Sequence, residues 1–112
     1  MKIIKDTLTR DDLLKMAAEK FGNMIKGVVD VEKEIVAVDA ELHSDLEALL
    51  LEAGSKQKDL WGVNFYPELR GEDFLEFDSM INIRPSQGNN SRGVDDAAAR
   101  QKIAAVIAKR IR

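Results

Sequence analysis

No cysteine occurs in the chain, which excludes disulfides, thiolate catalysis and cysteine-ligated zinc. That absence fits a reducing compartment. Histidine occurs once, so any metal site would have to lean on carboxylates. Excess positive charge is missing too: 17 Lys and Arg against 20 Asp and Glu give a net charge of −3. A nucleic-acid partner is therefore not expected, because binding one needs a basic surface to neutralise phosphates. No uncharged apolar run approaches the roughly 20 residues of a membrane span. The start, Met1-Lys2-Ile3-Ile4-Lys5-Asp6, lacks the apolar run of a signal peptide. We expect a soluble cytoplasmic protein with no membrane partner. What remains is an ordinary globular composition, 45% hydrophobic and 33% charged over 112 residues. That length suits one domain spanning 1–112, which buries about two-thirds of its unfolded surface without a metal.

The apolar pattern changes period along the chain. Residues 2–5 form a short apolar edge strand. Thr9 reads as a helix N-cap, with Asp11 and Asp12 in the first turn, where the helix dipole favours negative charge. Leu13, Leu14, Ala17, Ala18 and Phe21 then mark one face of a helix over about 10–21. Over 24–42 the period becomes two, broken by a charged turn at Lys33-Glu34, which predicts an antiparallel hairpin. Ser44 and Glu47 match a capping box, and Leu46, Leu49, Leu50 and Ala53 give a helical stripe stopped by Gly54. The run Leu49-Leu50-Leu51 also fits a buried strand, so 45–53 has two readings.

Trp61, Val63 and Phe65 alternate as a strand ended by Pro67. After a charged loop around Gly71, alternation over about 74–84 predicts another strand. Leu75, Phe77, Ser79, Ile81 and Ile83 fall on its core face. Phe74, Glu76, Asp78, Met80, Asn82 and Arg84 fall on its outer face. A last helix starts near Asp95 or Asp96, with Ala99, Ile103, Val106, Ile107 and Ile111 as its stripe. The order is β-α-β-β-α-β-β-α. It predicts an α+β fold, a mainly antiparallel sheet of four to five strands with helices packed on one face.

Several separated segments carry a resemblance: Glu41-Leu42-His43-Ser44-Asp45, Glu52-Ala53-Gly54-Ser55, residues 59–67 from Asp59 to Pro67, and residues 81–89 from Ile81 to Asn89. Together they resemble a family of small uncharacterised bacterial proteins known as a domain of unknown function. The resemblance spans nearly the whole chain. It implies a bacterial single-domain protein and no activity, so it assigns no catalytic residue, cofactor or partner.

Three constellations are candidate sites. In the first, Arg84 and Arg92 flank the loop 84–93, which with Asn82, Asn89, Asn90 and Ser91 is read as ligand-binding. Arginine offers a planar fork for phosphate or carboxylate, and a helix start favours anions. Against this, Asp95 and Asp96 sit at the same helix start and oppose an anion. Pairing with carboxylates is the alternative fate of the two arginines. In the second, Glu41, His43 and Asp45 cluster as metal-ligand candidates, with helix capping or plain exposure as the alternative. In the third, Asn64, Tyr66, Glu76, Asp78, Asn82 and Arg84 share the outer face of the second hairpin. A solvated sheet face shows the same alternation. Trp61 alternates with core residues and is assigned to packing. The leading functional reading is a binding module for a small anionic ligand or a protein partner, acting through the sheet face and the loop 84–93. One alternative is a phosphoester hydrolase, with or without the help of a metal, with His43 and Asp78 as catalytic candidates. The other is a structural role as a homodimer through a two-fold axis. No cofactor is indicated.

Overall fold

The computed structural model describes residues 1–20 and 22–112; Phe21, placed above on the first helical stripe, lies outside them. Five strands build one antiparallel sheet: β1 (Lys2–Ile4), β2 (Ile25–Asp30), β3 (Ile35–Val38), β4 (Leu60–Phe65) and β5 (Leu75–Glu76). Their order across the sheet is β1-β3-β2-β4-β5. The helices are α1 (Arg10–Glu19), α2 (His43–Glu52) and α3 (Ala97–Arg110). The α+β class and the antiparallel sheet are as expected from the sequence.

Local chemistry explains most boundaries. Thr9 caps α1 in a capping box, its hydroxyl accepting from Asp12 N while Asp12 Oδ2 accepts from Thr9 N. The hairpin β2–β3 turns over four residues rather than two, since Asp30 pairs with Ile35. Asp30, almost wholly buried, holds that turn: its Oδ1 accepts from the Glu32 and Lys33 amides, and its Oδ2 from Ser55 Oγ at 2.6 Å. Residues 43–52 are a helix, which decides between the two readings of that segment. It ends in a Schellman motif, with Ser55 N donating to Leu50 O, Gly54 N donating to Leu51 O, and Gly54 at φ 101°. The capping box expected of Ser44 and Glu47 does not form. Helix α2 begins two residues earlier than that box requires, at His43, and its N-cap Leu42 has no side-chain oxygen to offer.

The sheet is covered on both faces. Helices α1 and α3 share one face, where Leu13, Ala17, Ile103 and Val106 pack on Ile25, Val29, Val36, Val38, Val63 and Phe65. Trp61 belongs to this core. Helix α2 lies on the opposite face, with Leu46 and Leu50 against Val28, Ile35, Ala37 and Leu60. β2 and β3 therefore bury alternate residues on both sides, and the hydrophobic run 35–38 is buried throughout.

The long strand expected over 74–84 is instead two residues of β5 followed by a 3₁₀ turn at Met80–Asn82 and another at Pro85–Gln87. The assigned faces fail at Phe74, assigned outward but buried in the core within a 3₁₀ turn, and again from Asn82 onward, because turns break the period of two. Asn82 and Arg84, assigned outward, are buried, while Ile83, assigned inward, is exposed. The reason is the edge of β4. Gly62 N donates to Asn82 Oδ1 at 2.8 Å, and Asn82 Nδ2 donates to Gly62 O at 3.0 Å. One side-chain amide thus stands in for a neighbouring strand. The approach is close enough that a Cβ on Gly62 would collide with Ser79.

Replacing Asn82 with alanine leaves the Gly62 amide and carbonyl buried without partners. We expect Asn82→Ala to lose about 2–4 kcal/mol of stability, read by urea denaturation. A loss below about 0.5 kcal/mol would show that the edge is held by other contacts.

Candidate functional site

A cleft of about 420 Å³ opens beside the N-terminal end of α2, on the sheet face that this helix covers. Its walls come from five places in the chain. β2 supplies Lys26, and the start of α2 supplies Leu42, His43 and Ser44. Asn64 and Tyr66 come from β4 and the residue after it, and Glu76 comes from β5. Asp78 to Ile81 follow β5, and Arg92 comes from the loop before α3. Strand alternation puts Lys26 and Asn64, partners in the β2–β4 register, side by side on this face.

His43 Nε2 lies 2.8 Å from the Val63 carbonyl. A carbonyl only accepts, so Nε2 carries the proton and Nδ1 keeps its lone pair in the neutral ring. Burial lowers the His43 pKa below its ordinary 6.5, and the Lys26 cation acts in the same direction. The Val63 carbonyl, Asn64 and Asp78 pull the other way without overcoming burial. Next to it, Asn64 Nδ2 donates to Glu76 Oε1 at 2.8 Å and to the Asp78 carbonyl at 3.2 Å. Tyr66 donates to the same Glu76 oxygen at 3.0 Å. Burial raises the Tyr66 pKa, and its bond to Glu76 adds to that. Arg92 Nε donates to Asp78 Oδ1 at 2.7 Å across a pair that is about half exposed.

The sequence candidates thus divide. His43, Asp78 and Arg92 meet in this cleft. Arg84 does not line it. Its guanidinium is buried, 8% exposed, and donates to the Gln57 and Leu60 carbonyls while stacking 4.4 Å over the Trp61 ring. Burial pushes its pKa down against the opposing field of Glu47. Asn82 is occupied by Gly62 and the Arg92 carbonyl. Asn89, also buried, donates to the Asn82, Ser91 and Gly93 carbonyls and accepts from Asp95 N. Asp95 accepts from Asn90 N and from Ser91 Oγ, and the Ser91 bond, at 2.5 Å, lowers its pKa. The donors of Asn89, Asn90 and Ser91 are therefore turned onto nearby carbonyls and Asp95. Glu41 and Asp45 are exposed, and among the described residues no three His, Asp or Glu side chains gather as a metal-ligand set. Met24, Lys26, Leu42 and Ser44 entered the site without a local sequence signal; only pairing of β2 with β4 brings Met24 and Lys26 there.

Among the described residues no helix is long and apolar enough to cross a membrane. Fold and cleft together define a small α+β protein with one sheet covered by helices on both sides and a polar cleft at the start of α2. The sequence model described as "Protein of unknown function (DUF5674)" matches residues 2–110, and the chain belongs to that family. No curated protein and no solved structure matches it.

Two predictions follow from these environments. A His43 ring that is neutral in the fold takes up a proton on unfolding at pH below 6.5, so stability falls as pH drops through 6.5 toward the native pKa. Denaturant titrations should show that slope in the unmodified protein and its reduction in His43→Asn, and NMR should place the native midpoint below 6.5. At Arg84, lysine cannot reach two carbonyls and a ring face at once. Arg84→Lys should cost about 2–3 kcal/mol in the same denaturation assay; an unchanged midpoint would refute the bracing role.

Proposed function

We propose that this protein is a binding module whose cleft takes a small ligand through an anionic group. One observation carries the reading: His43, Asp78 and Arg92, distant in sequence, line one cleft together with a helix start that has no side-chain cap. First-turn amides without a capping oxygen attract anions, and the helix dipole adds to this. Arg92 uses Nε for Asp78, and its two terminal nitrogens carry no hydrogen bond among the described residues. They supply the fork that a carboxylate or phosphate fits. A small ligand is favoured over a protein partner because the surface is concave and its volume lies in the usual range of small-molecule sites. The arginine of this module is Arg92 alone, since Arg84 braces β4 from outside the cleft.

The test is a thermal-shift screen of carboxylates, inorganic phosphate and nucleotides. A ligand that binds the cleft raises the melting temperature of the unmodified protein and raises it markedly less in Arg92→Ala. The substitution removes an exposed side chain and keeps the Arg92 carbonyl that Ser79 and Asn82 use. A screen with no stabilising ligand, or equal stabilisation of both proteins, would sink the reading.

A further inference from the structure

The cleft also holds hydrogen-bond acceptors that an anion alone would leave unmet. Asn64 is 95% buried, and its Oδ1, which lies toward the His43 ring, makes no hydrogen bond of normal geometry among the described residues. Reversing the amide does not relieve this, because both partners of Nδ2, a carboxylate and a carbonyl, can only accept. The orientation is thereby fixed, and a buried acceptor without a full hydrogen bond lies on a residue that lines the cleft, an arrangement that favours an incoming donor. Beside it, Glu76 receives both its bonds on Oε1, and Asp78 receives Arg92 on Oδ1. Among the described residues Glu76 Oε2 and Asp78 Oδ2 accept nothing.

Resting on the anion-binding reading above, we propose that the ligand is a small zwitterion of the α-amino-acid type with an apolar side chain. Its ammonium group faces Asn64 Oδ1, Glu76 and Asp78, and its carboxylate faces Arg92 and the open start of α2. An ammonium has three donors and no acceptor, which matches three acceptors with no donor among them. Charge agrees as well. Lys26 and Arg92 against Glu76 and Asp78 leave the lining with no net charge, which suits a ligand that also has none. The apolar part has its own surface. Leu42 is 55% exposed and Met80 65%, and both line the cleft with Met24. Two methionines give that wall the adaptability to fit more than one side-chain shape.

The experiment titrates the protein, by calorimetry and by amide NMR shifts, with matched pairs: leucine, methionine and phenylalanine against 4-methylpentanoate, 4-(methylthio)butanoate and 3-phenylpropanoate. Each pair differs only in the amino group. At least one amino acid should bind about tenfold or more tightly than its partner, the size expected of a charge-assisted bond. Glu76→Gln, a change at an exposed side chain, should reduce that ratio. If amino acid and deamino acid bind equally and Arg92→Ala weakens both, the zwitterion is overturned while the anion site stands. If none of the six perturbs residues of the cleft, the proposal is overturned, and the phosphate and nucleotide arms of the thermal screen then decide the anion site separately.

Discussion

The pairing of the Asn82 side-chain amide with the Gly62 peptide is the constraint from which the C-terminal third takes its shape. β4 is flanked by β2 along its whole length but by β5 only at Asn64 and Phe65. Its remaining edge would expose peptide groups to no partner, which a folded chain seldom tolerates. Asn82 closes the edge at Gly62, and Arg84 closes it at Leu60. Both side chains are buried by doing so. Asn82 also receives Asn89 on its own carbonyl and donates to that of Arg92, so the loop is tied down by the residue that seals the strand. Asp78 and Arg92 reach the cleft because this knot places them there.

The two arginines illustrate how one residue type divides between opposite duties. Arg84, buried against Trp61, acts as a multiple donor to main-chain carbonyls, a task that uses its fork geometry while its charge rests on the ring face. Arg92 stays half exposed beside Asp78, where its charge remains accessible. The aspartates at the start of α3 divide in a similar way. Asp96 caps the helix, and Asp95 gathers Asn90 and Ser91. That helix start is therefore occupied by its own chain, whereas the start of α2, preceded by leucine, is not.

The same logic accounts for the acceptors of the cleft. Asn64 sits where β4 turns from core strand to site wall, with its backbone in the sheet and its side chain committed on one end only. Asn64 is thus polar, buried and only partly satisfied, unlike the apolar residues around it on β4.

What the sequence determined by itself was local. Period and caps are properties of neighbouring residues, so Thr9, Gly54 and the stripe of α3 could be read directly, as could the alternating hairpin and the α+β class; on α1 Leu13 and Ala17 are buried as expected, but Met16 takes the place given to Ala18, which is exposed. The absence of cysteine settled which chemistries are closed to the chain. The tertiary structure alone decided the rest. Residues 74–84 alternate as a strand would, yet the edge of β4 needed an amide and a guanidinium more than it needed another strand, and no local pattern registers that demand. Helix α2 starts at His43 rather than behind Ser44, and from there His43 reaches the Val63 carbonyl of β4, a contact with a residue 20 positions away. His43, Asp78 and Arg92 share a cleft, and Arg84 does not, because contact between segments far apart in the chain is fixed by sheet pairing and buried hydrogen bonds, neither of which is written in spacing along the sequence.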